Sequence, residues 1–186
     1  MEMYDLGLVI GRFQLLHDGH CELIDNALML CKQVIVYIGS SQEYGTETNP
    51  FSYEVRRNMI EKVYPIEYKI GKIIVRDLPD MHIGNNSNWG KYILDRFKNE
   101  FQKHPDLYVT GVEKERPSWF AEKDAPNMCE LRISRSVNKV TATECRNALL
   151  NGNYEFVREH TNFHLWKDLD FYKGILEGLK ENGKIK

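Results

Sequence analysis

The chain has 186 residues, 42% of them hydrophobic, a length that fits one domain of roughly 100–200 residues with a sizeable core. Its 25 basic residues nearly balance its 27 acidic ones. The chain therefore has no excess of positive charge to attract a polynucleotide backbone, and nucleic acid is not an expected partner. No stretch approaches the roughly 18–20 consecutive apolar residues that cross a bilayer, and the first residues do not resemble a secretory signal. We therefore expect a cytoplasmic protein with no membrane partner.

The first predicted elements are a strand, a helix and a second strand. The apolar run at residues 6–10 ends at Gly11 and is typical of a strand that is buried on both faces. Apolar residues then recur at helical intervals from Cys21 onward, and Asp18 is the expected N-cap. Residues 33–38 form another apolar run that opens into a polar loop. This order predicts the beginning of an α/β domain.

The alternation of strands and helices continues along most of the chain. The hydrophobic pattern predicts strands over 72–76 and 107–110, a strand edge near Arg132, and helices over 53–63, 87–103, 141–151 and 166–181. It implies an α/β fold, a Rossmann-like doubly wound parallel sheet with a helical C-terminus. We expect one domain over 1–186, with a core over 6–152, a helical part over 153–181 and a flexible tail over 182–186.

Residues 11–20, Gly-Arg-Phe-Gln-Leu-Leu-His-Asp-Gly-His, join the first strand to the first helix. Ligands of doubly wound sheets bind at the carboxyl ends of the strands, and the unpaired amides and dipole of a helix N-terminus attract phosphate. His17 and His20 are three residues apart, so both imidazoles can face one phosphate cluster, and Gly19 leaves space for its approach. We therefore predict a phosphate site here, where nearby phosphates would favour protonated imidazoles.

A second helix N-terminus carries residue types that suit phosphate. Thr141 and Thr143 offer hydroxyls, and Arg146 follows one turn later with a planar guanidinium. Taken alone, this pattern also fits an N-cap followed by a solvated arginine. The two histidines alone also fit a chance pair or part of a structural zinc site, although the spacing of the four cysteines (Cys21, Cys31, Cys129 and Cys145) matches neither a zinc pair nor a disulfide framework.

The motifs together resemble a known family. His17-Asp-Gly-His20 resembles the His-x-Gly-His signature of the nucleotidyltransferase superfamily. Gly11-Arg-Phe-Gln14 before it is similar to the nicotinamide-mononucleotide (NMN) adenylyltransferases of the archaeal type, which in bacteria also occur fused to Nudix hydrolase domains. Val140-Thr-Ala-Thr-Glu-Cys-Arg146 is similar to the Ile-Ser-x-Thr-x-Ile-Arg motif of that family. Further similar segments are Gly39-Ser-Ser-Gln, Asn49-Pro-Phe-Ser with Arg56, Asp77 through Trp89, and Thr110-Gly111.

Two positions and one segment depart from the family pattern. Leu15 stands where the family usually has proline, and Thr141 stands where it has serine, and both changes keep the required shape or hydroxyl. The segment Val112-Glu-Lys-Glu-Arg-Pro does not resemble the family's segment after the fourth strand.

The resemblance implies a set of site residues. It assigns ATP binding to Gly11, Arg12, Phe13, Gln14, His17, Gly19, His20, Gly111, Thr141, Thr143 and Arg146. It assigns NMN binding to Ser40, Asn49, Arg56, Asn86 and Trp89, with Trp89 able to stack on the nicotinamide ring. His17, His20, Arg12 and Arg146 are the expected catalytic residues. For Arg56 and Trp89 the alternatives are a solvated helix face and ordinary packing.

The implied reaction is attack of the NMN phosphate on the α-phosphorus of ATP, giving NAD and pyrophosphate with the help of Mg²⁺ carried by ATP. No residue is expected to hold a metal of its own. Two alternatives stay open: transfer to another phosphorylated acceptor, such as nicotinic-acid mononucleotide or a sugar or polyol phosphate, and a nucleotide-sensing module without turnover. Archaeal-type relatives further suggest a homo-oligomer, a hexamer or smaller ring.

Overall fold

The computed structural model describes residues 3–81, 87–112, 119–134 and 139–185. The strands are β1 (Tyr4–Gly11), β2 (Cys31–Gly39), β3 (Ile73–Leu78), β4 (Leu107–Val112) and β5 (Cys129–Ser134). The α-helices are α1 (Asp18–Leu30), α2 (Tyr53–Val63), α3 (Pro65–Lys69), α4 (Ser87–Phe101), α5 (Ala142–Leu150), α6 (Tyr154–Glu159) and α7 (Leu169–Glu181), and a 3-10 helix (Phe163–Asp168) precedes α7.

The five strands form one parallel sheet in the order β3-β2-β1-β4-β5. The order reverses between β1 and β4, which is the point where doubly wound sheets bind their ligands. Gly11 at the end of β1 lies opposite Ile38 near the end of β2, so the loops after these two strands leave the same edge of the sheet. The predicted fold is confirmed.

The core has two layers because side chains alternate between the two faces of each strand. Val9, Val34 and Val36 belong to a buried cluster beneath α1, α2, α5 and α7. Leu8 and Ile35 belong to a second buried cluster, against α4. Since strands and helices bury apolar side chains on both faces of the sheet, the continuous apolar runs of β1 and β2 follow from their position.

Most predicted elements are present, with shifts at their ends. The predicted helix over 53–63 coincides with α2, whereas β1, β2 and β4 are longer than their apolar runs. The helix predicted over 166–181 is divided into the 3-10 helix and α7. Ile185, in the predicted flexible tail, packs partly buried against the first cluster. Within the described ranges, the structure has no helix that could cross a membrane.

Candidate nucleotide-binding site

The turn from β1 into α1 places His17 at the N-cap of α1. Its backbone is extended, with φ −131° and ψ 171°, and its Nδ1 accepts a hydrogen bond from the Gly19 amide at 3.2 Å. The amide of Asp18 donates to the carbonyl of His160 at 3.0 Å. The prediction that Asp18 caps the helix is therefore wrong, because the imidazole of His17 provides the capping acceptor and Asp18 is the first helical residue.

His20 completes a reciprocal cap with His17. Its Nδ1 accepts from the His17 amide at 3.5 Å, and the two ring centroids are 3.9 Å apart. Each Nδ1 lies within hydrogen-bond distance of a backbone amide, and these contacts fix the orientation of both rings at the start of α1. The protonated state that phosphate would favour stays a prediction.

The loop between β1 and α1 is anchored through Gln14. The side chain of Gln14 is 3% exposed, accepts from the Phe51 amide at 2.9 Å and donates to the Phe51 carbonyl at 3.2 Å. It also donates to Asn49 Oδ1 at 3.3 Å, and Asn49 Nδ2 donates to Glu43. Both amides are buried and support the loops, and the ligand contacts of Gln14 and Asn49 stay predictions.

Phe13 is buried as well, and its assignment to ATP binding stays a prediction. Its ring is 1% exposed, and its φ of 51° lies in the left-handed region. A Cβ at Gly11 would lie 2.9 Å from the Phe13 ring, which is closer than side chains pack. Gly11 is required here because the ring folds back over the end of β1.

Arg56 is fully buried, so the alternative of a solvated helix face is wrong, while its predicted phosphate contact stays a prediction. Its Nη1 donates to the carbonyls of Gly39 at 2.8 Å and Arg12 at 3.1 Å, and its Nη2 donates to the Ser40 carbonyl at 3.2 Å. Its Nε donates to the Ser52 carbonyl. Burial lowers the pKa of Arg56 to about 10. Arg56 thus ties the loops after β1 and β2 together.

Arg12 and Arg146 lie close enough to influence each other. Arg12 is exposed, whereas Arg146 is 8% exposed and donates from Nη1 to the Gln14 carbonyl and from Nη2 to Thr143 Oγ1 at 3.1 Å. Burial, followed by the charge of Arg12, lowers the pKa of Arg146. Two guanidinium groups that repel each other are stabilised by an anion between them.

Thr141 and Glu144 form a capping box at the start of α5. Thr141 is the N-cap, and its Oγ1 accepts from the Glu144 amide at 3.2 Å. The Thr141 amide and hydroxyl both donate to Glu144 Oε2, each at 2.7 Å. Thr141, Thr143 and Glu144 are exposed. The amides of this helix N-terminus thus face the same region as Arg146.

Ser40 begins the loop after β2 and is 8% exposed. Its φ is 48°, and its hydroxyl donates to Asp80 Oδ2 at 2.6 Å. Asp80 follows β3, and its backbone exchanges two bonds with the side chain of Gln42, at 3.0 and 3.2 Å. These hydrogen bonds therefore join the loops after β2 and β3 at Ser40, one of the residues predicted to bind NMN.

Trp89 belongs to the second core cluster and is 8% exposed. Its ring centroid lies 5.3 Å from that of Tyr92 and 6.5 Å from that of Trp119. Its neighbours on α4 and before β5 bury much of the ring, and the stacking role of Trp89 stays a prediction. Gly111 lies at the end of β4, opposite Ile133 of β5. Asn86, also predicted to bind NMN, lies outside the described residues.

A single family model spans both the sheet and the two motifs of the candidate site. The cytidylyltransferase-like family model matches residues 8–175, which include all the sheet strands from Leu8 onward and both helix N-termini of the candidate site. The chain belongs to the cytidylyltransferase-like family. Within it, His17, His20, Thr141 and Arg146 lie at the carboxyl edge of the sheet or at the helix N-termini next to it.

Several members of the cytidylyltransferase-like family are similar to the chain over part or most of its length. A nicotinamide-nucleotide adenylyltransferase of Thermococcus kodakarensis is 32% identical over 168 residues, covering 84% of each chain. One of Saccharolobus solfataricus is 33% identical over 103 residues, which span 53% of this chain and 59% of that relative. A Francisella tularensis bifunctional NMN adenylyltransferase/ADP ribose pyrophosphatase complexed with AMP and manganese has the same fold, with a TM-score of 0.72 and 23% identity over 97% of this chain and 53% of that one.

Two acidic residues of the site, Asp80 and Glu144, were not among the sequence-predicted residues. Asp80 lies within the segment from Asp77 to Trp89 that carries the resemblance, and Glu144 is a residue of the second motif. The spacing of Thr141 and Glu144, a capping box, is the signal that could have identified Glu144. In the described ranges, no three His, Cys, Asp or Glu side chains are grouped to hold a metal.

A cavity of about 710 Å³ lies away from the helix N-termini, along α4. Its lining includes Asn88, Tyr92, Arg96 and Glu100. Of these residues, Asn88 alone belongs to a segment that carries the family resemblance, so we place the candidate site by the geometry of the histidine and threonine motifs and not by the volume of the cavity.

Proposed function

We propose that this protein transfers AMP from ATP to the 5′-phosphate of NMN, giving NAD and pyrophosphate. The observation that carries the proposal is the reciprocal cap of His17 and His20, which places two imidazoles side by side at the N-terminus of α1. The nicotinamide-nucleotide adenylyltransferases of Thermococcus and Saccharolobus support the choice of substrates. A site with two imidazole donors and two guanidinium groups suits a polyphosphate.

The reaction is an in-line displacement at the α-phosphorus of ATP. One oxygen of the NMN phosphate forms the new P–O bond, and the bond from the α-phosphorus to the bridging oxygen breaks, so that pyrophosphate leaves with the electron pair. No proton has to be removed from the nucleophile, because it is already an anion. The protein therefore acts by alignment and by stabilising the charge that collects on pyrophosphate.

Each proposed residue has a stated task in that displacement. The Nε2–H groups of His17 and His20 donate to phosphate oxygens, and their positions are fixed because both Nδ1 atoms are held by backbone amides. Arg12 is exposed and is able to follow the triphosphate, whereas Arg146 is held by the Gln14 carbonyl and Thr143. We propose that Arg146 and the α5 N-terminus bind the end of the triphosphate that leaves as pyrophosphate.

Mg²⁺ enters the proposal as a companion of ATP. The described residues contain no acidic cluster that would hold it, so the phosphates themselves would be its main ligands, as is common for this ion. It would neutralise charge on the β- and γ-phosphates. The magnesium requirement, a cytoplasmic location and a homo-oligomer all stay predictions.

A panel of substrates tests the proposal. Purified protein is incubated with ATP or CTP and with NMN, nicotinic-acid mononucleotide, a sugar phosphate or a polyol phosphate, and both pyrophosphate and the dinucleotide are measured, with and without EDTA. We expect the highest kcat/KM for ATP with NMN and loss of turnover with EDTA. Faster turnover of another acceptor would reassign the substrate. Tight ATP binding without pyrophosphate release from any acceptor would identify a nucleotide sensor.

A further inference from the structure

The guanidinium of Arg146 is held by carbonyl groups from two loops outside its own helix. Its Nη1 donates to the Gln14 carbonyl in the loop after β1. Its Nη2 donates to Thr143 Oγ1 and lies 3.5 Å from the Glu47 carbonyl oxygen in the loop after β2, at the limit of a hydrogen bond. The direction in which Arg146 presents its remaining donors therefore depends on how firmly these two loops are fixed.

Asn49 joins the two loops that present these carbonyls. Its Oδ1 accepts from Gln14 Nε2 at 3.3 Å, and its Nδ2 donates to Glu43 Oε2 at 2.7 Å. Its backbone amide donates to Thr46 Oγ1 at 3.1 Å, and its carbonyl accepts from the Thr46 amide at 3.3 Å. These two backbone contacts close the turn that contains Glu47. One residue is thus connected to both segments that bind the Arg146 guanidinium.

Glu43 selects the orientation of the Asn49 amide. A carboxylate only accepts hydrogen bonds, whereas an amide has an accepting oxygen and a donating nitrogen. The carboxylate of Glu43 therefore favours the orientation with Nδ2 toward itself and Oδ1 toward Gln14. In the opposite orientation, two donors would meet at Gln14 and two acceptors at Glu43. Asn49 and Gln14 are buried, so water is not available to satisfy such mismatched groups and the cost would be large.

The orientation is passed on to the loop after β1. With Asn49 Oδ1 as its acceptor, Gln14 Nε2 also donates to the Phe51 carbonyl, and Gln14 Oε1 accepts from the Phe51 amide. These contacts fix both ends of the Gln14 side-chain amide. The backbone carbonyl of the same residue is the acceptor of Arg146 Nη1. A continuous chain of polar contacts therefore runs from Glu43 to the guanidinium.

We propose that Glu43 is a positioning residue, which acts through Asn49 and Gln14 to hold the guanidinium of Arg146 toward the departing pyrophosphate. Glu43 lies half-buried in the loop after β2 and needs no contact with substrate in this role. The inference rests on the proposed function, because that function assigns Arg146 to the pyrophosphate end of ATP. Charge collects at this end during the displacement, so a misdirected guanidinium slows turnover more than it weakens ATP binding.

The variant Glu43→Gln tests the inference, because glutamine has the same shape but both donates and accepts and so no longer selects one orientation of Asn49. We expect kcat to fall and the inhibition constant of pyrophosphate to rise, each about three- to tenfold, the effect of losing one hydrogen bond. The KM for ATP should change by less than about twofold. Glu43→Asp keeps the carboxylate and should recover part of the loss. Glu181→Gln, which removes an exposed carboxylate at the end of α7, is the control for net charge and should match the wild type.

A double-mutant cycle separates positioning of Arg146 from a general effect on the fold. In an Arg146→Met background there is no guanidinium to hold, so adding Glu43→Gln should change kcat and the pyrophosphate constant by less than about twofold. If Arg146→Met does not fold, Arg146→Lys takes its place, and the added loss should again be smaller than in the wild type. The same loss in both backgrounds would overturn the inference, as would unchanged constants for a folded Glu43→Gln protein.

Pyrophosphate binding keeps the inference testable apart from the proposed reaction. If the protein has no turnover with any acceptor, the same cycle is carried out on the dissociation constant of pyrophosphate, measured by calorimetry. Weaker binding by Glu43→Gln that disappears in the Arg146→Met background would support the positioning role and remove only the proposed adenylyl transfer. A wild type that binds no pyrophosphate would overturn the positioning role.

Discussion

Replacing Arg56 with methionine should lower the free energy of unfolding by about 3–5 kcal/mol, because the buried carbonyls that it binds lose their donor. Arg56 is fully buried, and its bonds to the Gly39 and Ser40 carbonyls lie in buried surroundings. Each buried carbonyl that loses its donor costs about 1–3 kcal/mol. For a chain of this length, the melting temperature should fall by about 6–20 °C. Urea and thermal unfolding measure both quantities.

The neighbouring Arg57 provides a matched control. Its side chain is 44% exposed and pairs on the surface with Glu61, so Arg57→Met should change stability by less than about 1 kcal/mol. Arg56→Lys keeps the charge but has one nitrogen in place of the guanidinium fork, and we expect an intermediate loss. If Arg56→Met unfolded at the same urea concentration as Arg57→Met, the proposed connection between the loops would be refuted.

Three further predictions concern the histidine cap, a helix contact and pH. His20→Ala should lower kcat by about 10²–10³ with little change in the KM for ATP, because one preorganised donor is lost; equal losses in both would contradict selectivity for the transition state. Gly90→Ala should destabilise the fold by about 1–3 kcal/mol, since the new Cβ would lie 1.9 Å from the Trp119 carbonyl oxygen. Gly174→Ala is the control: its new Cβ would have nothing within 4 Å, so this variant should be as stable as the wild type or more stable in thermal unfolding. Two lysine side chains lower the pKa of Asp5. The ionised Asp5 carboxylate therefore stabilises the fold above about pH 4, and this stabilisation is lost as the pH falls through the folded-state pKa. The melting temperatures of the wild type and Asp5→Asn should differ at pH 7 and converge near pH 2.

The sequence by itself determined the order of the elements and the location of the motifs. Hydrophobic periodicity predicts β1, α1, β2 and α2 because it reflects how each segment meets the core. The His17-Asp-Gly-His20 string and its distance from the first strand indicated a phosphate site because the turn and the helix start are local features. The same locality made Thr141 recognisable as an N-cap.

The tertiary structure alone decided which of the predicted site residues are buried and which polar side chains hold the loops. Arg56, Gln14, Asn49 and Trp89 were expected to contact substrates, but all four are buried. Their partners are distant in sequence: Arg56 binds carbonyls 16, 17 and 44 residues away, and Gln14 binds a backbone 37 residues away. Periodicity describes one segment at a time, whereas the burial of a polar group depends on which loops the parallel strands bring to the same edge of the sheet.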